Sequence, residues 1–290
     1  MNLNNEELRN KIIQYFEKSI ESSGAFDSGD PEIKELYVKS VLNNDIEKEI
    51  YQIIKNNITI SENTNILDMG CGLGSFLEVC QNNGIQAIGI DIDPHAIEIA
   101  KSRTKEQKNV ILEDCQDLPF KNNSFDLIVS ITVIEHVKNP LKYFREAHRV
   151  LAKNGKLIIF APNYLFPWEG HYKLFWIPYL FPHTKSLFKL YLKGKNRKPE
   201  FVNFVNFKIT PGYLKKLIRK AGFSEIKDIS IQRFKERINN SELINDPKPQ
   251  TLIKIIKRNR LLHILMNLSI PLLGFLKLYH PIILIIEKKD

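Results

Sequence analysis

A glycine-rich turn with an acidic residue at its start is the part of this chain best suited to bind a cofactor. It reads Asp68-Met69-Gly70-Cys71-Gly72-Leu73-Gly74 and directly follows a short apolar run. Glycine permits positive φ and removes the Cβ atoms that keep a ligand away from the backbone. In the dinucleotide pattern a last glycine would stand at Ser75, and Asp68 would lie poorly beside a pyrophosphate. The turn therefore disfavours NAD, and we expect Asp68 to hold the ammonium of an amino-acid moiety.

Further acidic residues follow the next two apolar runs. Asp91 ends Ile88-Gly89-Ile90-Asp91, and a carboxylate at that position can accept hydrogen bonds from both hydroxyls of a ribose. Asp93 precedes Pro94 and is better explained as the N-cap of a helix. Asp114 is placed to accept a hydrogen bond from an exocyclic amine such as that of adenine, and Cys115 beside it offers its backbone amide.

Apolar runs that alternate with helical patterns must position these residues. The pattern predicts helices over 74–82, 94–103, 140–151 and 211–221, with strands over 65–68, 87–91, 110–113, 125–130, 156–161, 223–231 and 281–287. Such alternation is typical of a doubly wound α/β fold, with a mainly parallel sheet and helices on both faces. We divide the chain into an N-terminal helical cap (1–59), an α/β core (60–163), an aromatic and basic lid insertion (164–207) and a C-terminal part (208–290) that completes the sheet. Within the cap, helical periodicity begins near Ile12 and runs again over 32–54.

The motifs of the core, taken together, resemble the class I S-adenosylmethionine-dependent methyltransferases, particularly the small-molecule branch that includes quinone-biosynthesis enzymes. They are Leu67–Gly74, Gly89–Asp91, Asp114–Phe120 and Phe125–Leu127, and the resemblance covers about residues 60–163. It implies a seven-stranded sheet whose last strand, 281–287, is antiparallel. It also implies S-adenosyl-L-methionine as the cofactor, with the methionine part near the glycines, the ribose at Asp91 and the adenine at Asp114 and Cys115. The full predicted contact set is Asp68, Gly70, Cys71, Gly72, Gly74, Asp91, Ile92, Asp114 and Cys115.

Two histidines are candidates for a general base, which methyl transfer needs only when the acceptor must lose a proton. His136 follows the fourth strand, and its ordinary pKa suits a base. His136 could equally be a structural residue that is hydrogen-bonded to a neighbouring carbonyl. Glu135 is a weaker candidate for the base. His171 lies in the aromatic insertion directly after the fifth strand, which we expect to cover an acceptor pocket for an apolar or ring-containing molecule. The alternative is that Trp168, Phe175 and Trp176 only pack the lid.

Composition limits the class of protein. Hydrophobic residues make up 43% of the 290 residues and charged residues 26%, which is typical of a folded globular protein. The three cysteines have neither the number nor the spacing of a disulfide scaffold or a zinc site, so we expect a reducing cytoplasm and no metal. The polar start of the chain also lacks the apolar core of a secretory signal.

The basic residues are concentrated in one part of the chain. Residues 185–290 contain 23 Lys and Arg against 8 Asp and Glu, whereas residues 1–184 are net acidic. This asymmetry points to an anionic acceptor or membrane surface, or to a solvated basic face. The apolar run 261–279 is interrupted by polar residues, so it fits an interfacial helix or ordinary packing better than a membrane span.

Three functions remain open at this stage. The preferred one is methylation of oxygen or carbon on a small, lipid-like or glycosidic acceptor. An RNA or protein methyltransferase would use the basic C-terminal third, although no nucleic-acid-binding module is recognisable and nucleic acid is the less favoured partner. A cofactor-binding scaffold without turnover is the third.

Overall fold

A seven-stranded sheet organises the chain. The computed structural model describes residues 5–23, 31–172, 174–177, 180, 184–195, 199–244 and 247–289. The strands of the sheet, in chain order, are β1 (Ile66–Met69), β2 (Ala87–Asp91), β3 (Val110–Leu112), β4 (Phe125–Ile131), β5 (Leu151–Ala161), β8 (Glu225–Asp228) and β9 (Ile282–Glu287), and β6 (Trp168–Glu169) pairs with β7 (Leu174–Phe175) in a separate hairpin. The order across the sheet is β3-β2-β1-β4-β5-β9-β8, and only the pairs that involve β9 are antiparallel. This confirms the doubly wound, mainly parallel fold with an antiparallel last strand.

Helices cover both faces of this sheet. They are α1 (Asn5–Ser23), α2 (Pro31–Asn43), α3 (Asp45–Asn57), α4 (Ser75–Asn82), α5 (Pro94–Arg103), α6 (Pro140–Val150), α7 (Lys185–Gly194), α8 (Pro211–Lys220), α9 (Ser230–Asn239), α10 (Pro247–Arg258) and α11 (Arg260–Phe275). Three of them begin with proline after a side-chain cap, because proline lacks only an amide that the first turn would leave unpaired. The caps are Asp93, Asn139 and Thr210.

Alternation along the central strands divides the core into two layers. On β5, Leu157 and Ile159 belong to one buried cluster, which includes aromatic residues of α6 and of the segment 164–207. Ile158 and Phe160 face the opposite cluster, with residues of α3 and α4. Because successive strand side chains point to opposite faces, a strand buried on both sides must be apolar throughout.

Two sequence predictions were wrong in detail. The helical stretch over 32–54 is two helices, because Asn44 between α2 and α3 adopts a left-handed conformation with φ of 55°. The strand predicted over 223–231 ends at Asp228, and α9 begins at Ser230. Asp228 Oδ1 accepts a hydrogen bond from the amide of Ser230 at 3.0 Å. In both cases a short polar side chain suited to turns overrides the apolar pattern.

The N-terminal helices are fixed to the core by a buried arginine. Arg103, 4% exposed, donates to Glu78 Oε2 at 2.6 Å, to Asn44 Oδ1 at 2.7 Å and to the carbonyl of Val41 at 3.1 Å. These bonds compensate the desolvation of the guanidinium. They join α2 to α4 and α5, the helices that follow β1 and β2.

Candidate cofactor and acceptor site

The glycine-rich turn bends over the neighbouring strand at the carboxyl edge of the sheet. The amides of Gly70 and Cys71 both donate to the carbonyl of Ile90 on β2, at 2.9 and 2.8 Å. The amide of Gly72 donates to Asp91 Oδ2 at 2.8 Å. The turn and the end of β2 therefore form one hydrogen-bonded unit.

The three glycines of the turn have positive φ but differ in what surrounds them. A Cβ on Gly70 would lie 2.3 Å from Val133 Cγ2, and one on Gly74 would lie 2.9 Å from the Cα of Ala100. Close packing therefore accounts for both. A Cβ on Gly72 would meet no atom within 4 Å. Gly72 is thus the glycine whose missing side chain leaves open space at this edge, which fits a bound cofactor.

Asp91 is half-buried and held by backbone amides. Its Oδ2 accepts from Gly72, and its Oδ1 accepts from the amide of Asp93 at 2.9 Å. Burial raises the pKa of Asp91, while the bonds from these amides oppose the rise. A carboxylate has about four acceptor positions, so two are left for a ligand with paired hydroxyls.

Asp68 is a buried acid without an internal donor. It is 2% exposed, and the described residues form no hydrogen bond to its carboxylate. Burial raises its pKa well above the ordinary value, and the nearby acids Glu47 and Asp91 raise it further. A buried carboxylate in this state is stabilised by a cation, so the site fits a ligand that carries an ammonium group.

The residues predicted to contact adenine lie after β3. Asp114 binds Gln116, whose backbone amide donates to Oδ1 at 2.8 Å and whose side-chain amide lies 3.1 Å from both oxygens. Burial raises the pKa of the Cys115 thiol to about 12, so the thiol stays protonated. Ile92 is 67% exposed and presents an apolar surface at the end of β2. Asp93 caps α5 as predicted, with His95 as donor at 2.9 Å, and also accepts from the Tyr15 hydroxyl at 3.0 Å.

The two candidate bases, far apart in sequence, lie together. The rings of His136 and His171 are 6.0 Å apart, centroid to centroid, and both are near Phe201. His136 Nδ1 lies 3.1 Å from the carbonyl of Phe204, and His171 Nδ1 lies 2.7 Å from Glu169 Oε1. Because both oxygens are acceptors, each Nδ1 carries the hydrogen and each neutral ring keeps its lone pair on Nε2. The carbonyl contact at His136 fits a structural role as well as a chemical one.

Buried polar groups surround the histidine pair. Glu135 and Glu169 are 2% and 1% exposed. Burial raises the pKa of Glu135, and the nearby His136 and His171 oppose the rise. Glu135 Oε2 and the hydroxyl of Tyr164 have no hydrogen-bond partner in the described part of the chain. Unpaired buried polar atoms of this kind fit a polar ligand or water.

The opposite edge of the sheet contains a cavity of about 830 Å³, which belongs to a different part of the molecule. It is lined by residues that precede β1 and β2, among them Tyr51, Lys55, Glu62 and Asn83. None of the predicted site residues lines it. The residues predicted to bind the cofactor and to act as a base therefore lie outside this cavity.

Comparison with known proteins identifies the core. Residues 67–159 match the family of methyltransferase domains. The chain carries a class I S-adenosylmethionine-dependent methyltransferase domain. This confirms the family expected from the motifs, and S-adenosylmethionine as its cofactor.

Relatives of this methyltransferase domain differ in what they methylate. The chain is 29% identical over 118 residues to a sterol 4-C-methyltransferase of Caenorhabditis elegans, covering 39% of the chain and 35% of that protein. It is 37% identical over 103 residues to norajmaline N-methyltransferase of Rauvolfia serpentina, covering 33% and 35%. It is 34% identical over 95 residues to demethylmenaquinone methyltransferase of Tropheryma whipplei, covering 32% and 40%. The chain thus spans about a third of the length of these relatives, and their names give no common acceptor.

A solved structure shares the fold of the methyltransferase domain. It is phosphoethanolamine N-methyltransferase 2 of Haemonchus contortus in complex with S-adenosyl-L-methionine, with a TM-score of 0.51 and 19% identity over 84% of this chain and 52% of that one. At this identity the likeness supports the architecture alone.

The aromatic residues beyond the methyltransferase domain pack largely as a core. Trp176 is buried, donates through Nε1 to the carbonyl of Phe166 at 2.6 Å, and lies against Phe188 and Phe207. Trp168 and Phe175 pack edge to face in the β6–β7 hairpin. Sequence reasoning missed Glu169, although the spacing Glu169-Gly170-His171 was a usable signal for a carboxylate beside an imidazole.

Proposed function

We propose that this chain transfers a methyl group from S-adenosylmethionine to oxygen, or to an acidic carbon, of a small lipid-like or glycosidic acceptor. The observation that carries the proposal is the pairing of His136 and His171 beside two buried carboxylates. A neutral amine already has a lone pair for the attack, whereas a hydroxyl or acidic carbon must lose its proton. These residues lie between the end of β4 and the segment 164–207, and we propose that the acceptor binds there.

The glycine turn and the end of β2 provide the groups that we propose bind the cofactor. Gly72 leaves open space, Asp68 offers a buried carboxyl group whose charged form an ammonium group would stabilise, and Asp91 offers two acceptor positions for ribose hydroxyls. When bound, S-adenosylmethionine supplies a methyl group on a positively charged sulfur. The chain therefore has to bind the two reactants, align them and deprotonate the acceptor. Alignment alone can supply a large part of the rate enhancement.

On the acceptor side, His171 is better placed than His136 to act as the base. Glu169 Oε1 accepts from Nδ1 and fixes the ring, while Oε2 accepts from the amide of Tyr172 at 2.6 Å. A carboxylate in this position stabilises the imidazolium that forms when Nε2 takes the proton of the acceptor. Glu169 is then a positioning residue, and the oxygen or carbon that loses the proton forms the new bond to the methyl group.

The test measures product formation and cofactor binding separately. His136→Ala and His171→Ala are assayed with labelled S-adenosylmethionine and a whole-cell extract, which is then separated into small molecules, RNA and protein, and methylated small molecules are identified by mass spectrometry. We expect His171→Ala to lose about a hundredfold or more in turnover, with S-adenosylhomocysteine binding unchanged by calorimetry. His148→Ala, on α6 beside Gly222, is the matched control and should keep full turnover.

Two results would overturn the proposal. Full turnover in both histidine variants would show that neither histidine acts as the base. Label in RNA or protein with none in small molecules would favour the alternative substrates, and binding of the cofactor without any labelled product would favour a scaffold.

A further inference from the structure

Helix α11 exposes one continuous apolar face. Its residues are spaced four, three, four and three positions apart, which places them on one side of a helix. Leu268 is 71% exposed and Phe275 82%, whereas Ile270, on the opposite side, is buried against α9. We call these residues the α11 face: Leu261, Leu265, Leu268, Leu272 and Phe275. Folded proteins rarely leave such a surface in water without a partner.

The charged residues of α10, α11 and the segment that follows them have one sign. Residues 247–286 contain six Lys and Arg and no Asp or Glu. Lys254 pairs with Glu242 at 2.9 Å, and Lys257 donates to the carbonyl of Asn239 at 2.6 Å. Arg258 and Arg260, at the junction of α10 and α11, are exposed and form no ion pair within the described residues. Positive charge therefore flanks the apolar face.

We propose that the α11 face docks on the surface of an anionic phospholipid bilayer, with the helix lying in the headgroup region. Apolar burial and attraction between arginines and anionic headgroups act together in this arrangement. A second copy of the chain would bring the same positive charges together at the edge of the contact, which costs free energy. Among the described helices, none is long and apolar enough to cross a membrane.

The α11 face is joined to the segment that contains His171. Asn163, directly after β5, donates through Nδ2 to the carbonyls of Lys277 and Tyr279 at 2.8 and 2.6 Å. The ring of Phe166 lies 5.9 Å from that of Phe234 on α9, in the cluster that buries Ile270. Docking would thus hold the proposed acceptor pocket near the lipid. This last step rests on the proposed function, but docking itself does not.

The experiment measures vesicle binding without turnover. The full chain is sedimented with vesicles of phosphatidylcholine alone, or of phosphatidylcholine with phosphatidylglycerol. We expect binding only to the anionic vesicles, reduced by added salt. Leu268→Gln with Phe275→Gln, and separately Arg258→Ser with Arg260→Ser, should each lower the partition coefficient about tenfold or more.

Matched variants and an oligomer measurement make the test decisive. Leu36→Gln with Leu112→Gln changes two other exposed apolar residues and should leave binding unchanged, as should Lys39→Ser with Lys48→Ser. The inference fails when anionic vesicles do not bind, or when the α11 variants bind as wild type. It also fails when sedimentation velocity shows a dimer that Leu268→Gln with Phe275→Gln dissociates, because a second copy then covers the face. Loss of turnover with intact vesicle binding would count against the proposed function instead.

Discussion

Replacing Asp91 by Asn tests the cofactor site, because it removes a charge and one acceptor atom while keeping the shape of the side chain. In the structure, Oδ2 accepts from Gly72 and Oδ1 from Asp93. An amide has only one oxygen, so its NH₂ group must face one of these donors, and at most one acceptor position is left for the ribose. Loss of a charged hydrogen bond, with weakening of the others, costs about 2–4 kcal/mol, or roughly 30-fold to 1,000-fold in affinity.

Titration calorimetry with S-adenosylhomocysteine measures this loss directly. Asp93→Asn is the control, since asparagine caps a helix as well as aspartate does and should bind the ligand with little change. Thermal unfolding of the ligand-free proteins separates a weakened turn from a lost ligand contact. Equal affinity of wild type and Asp91→Asn would refute the assignment of ribose to Asp91, whatever the activity of the enzyme.

Two further predictions concern stability. Gly74→Ala should lower the free energy of unfolding by about 2–4 kcal/mol, since its Cβ would overlap the Ala100 backbone at a positive φ. Gly84→Ala, also at a positive φ but with open space around the new Cβ, should lose about half as much free energy of unfolding, measured by urea denaturation. Equal losses in the two variants would contradict the packing argument. Hydrogen bonding to Arg149 lowers the pKa of Glu146 from its ordinary 4.5. The ionised Glu146 therefore stabilises the folded protein above pH 4.5, and this contribution is lost as the pH falls through the lowered pKa of the folded state. The difference in unfolding free energy between wild type and Glu146→Gln should therefore shrink in acid, and a constant difference would exclude this linkage.

Most of the α/β core was predictable because its signals are local. The turn from Asp68 to Gly74, the acid at the end of β2 and the Asp93-Pro94 helix start each depend on neighbours in sequence. Parallel strands bring their carboxyl ends to one edge, so the order of these motifs along the chain already implied that they meet. The break at Asn44 and the start of α9 were missed, because a single polar residue decides each one.

By itself, the sequence determined the fold class, the glycine turn with the acids that follow the neighbouring strands, and two separate histidine candidates. Only the tertiary structure decided that His136 and His171 lie 6.0 Å apart with Glu169 behind one of them, because that contact joins segments on either side of β5. It also decided which glycine faces open space, since packing against Val133 and Ala100 depends on elements distant in the chain. Likewise, the apolar residues of α11 are visible in the sequence, but whether they point into the core or into solvent depends on which side of the helix packs against α9.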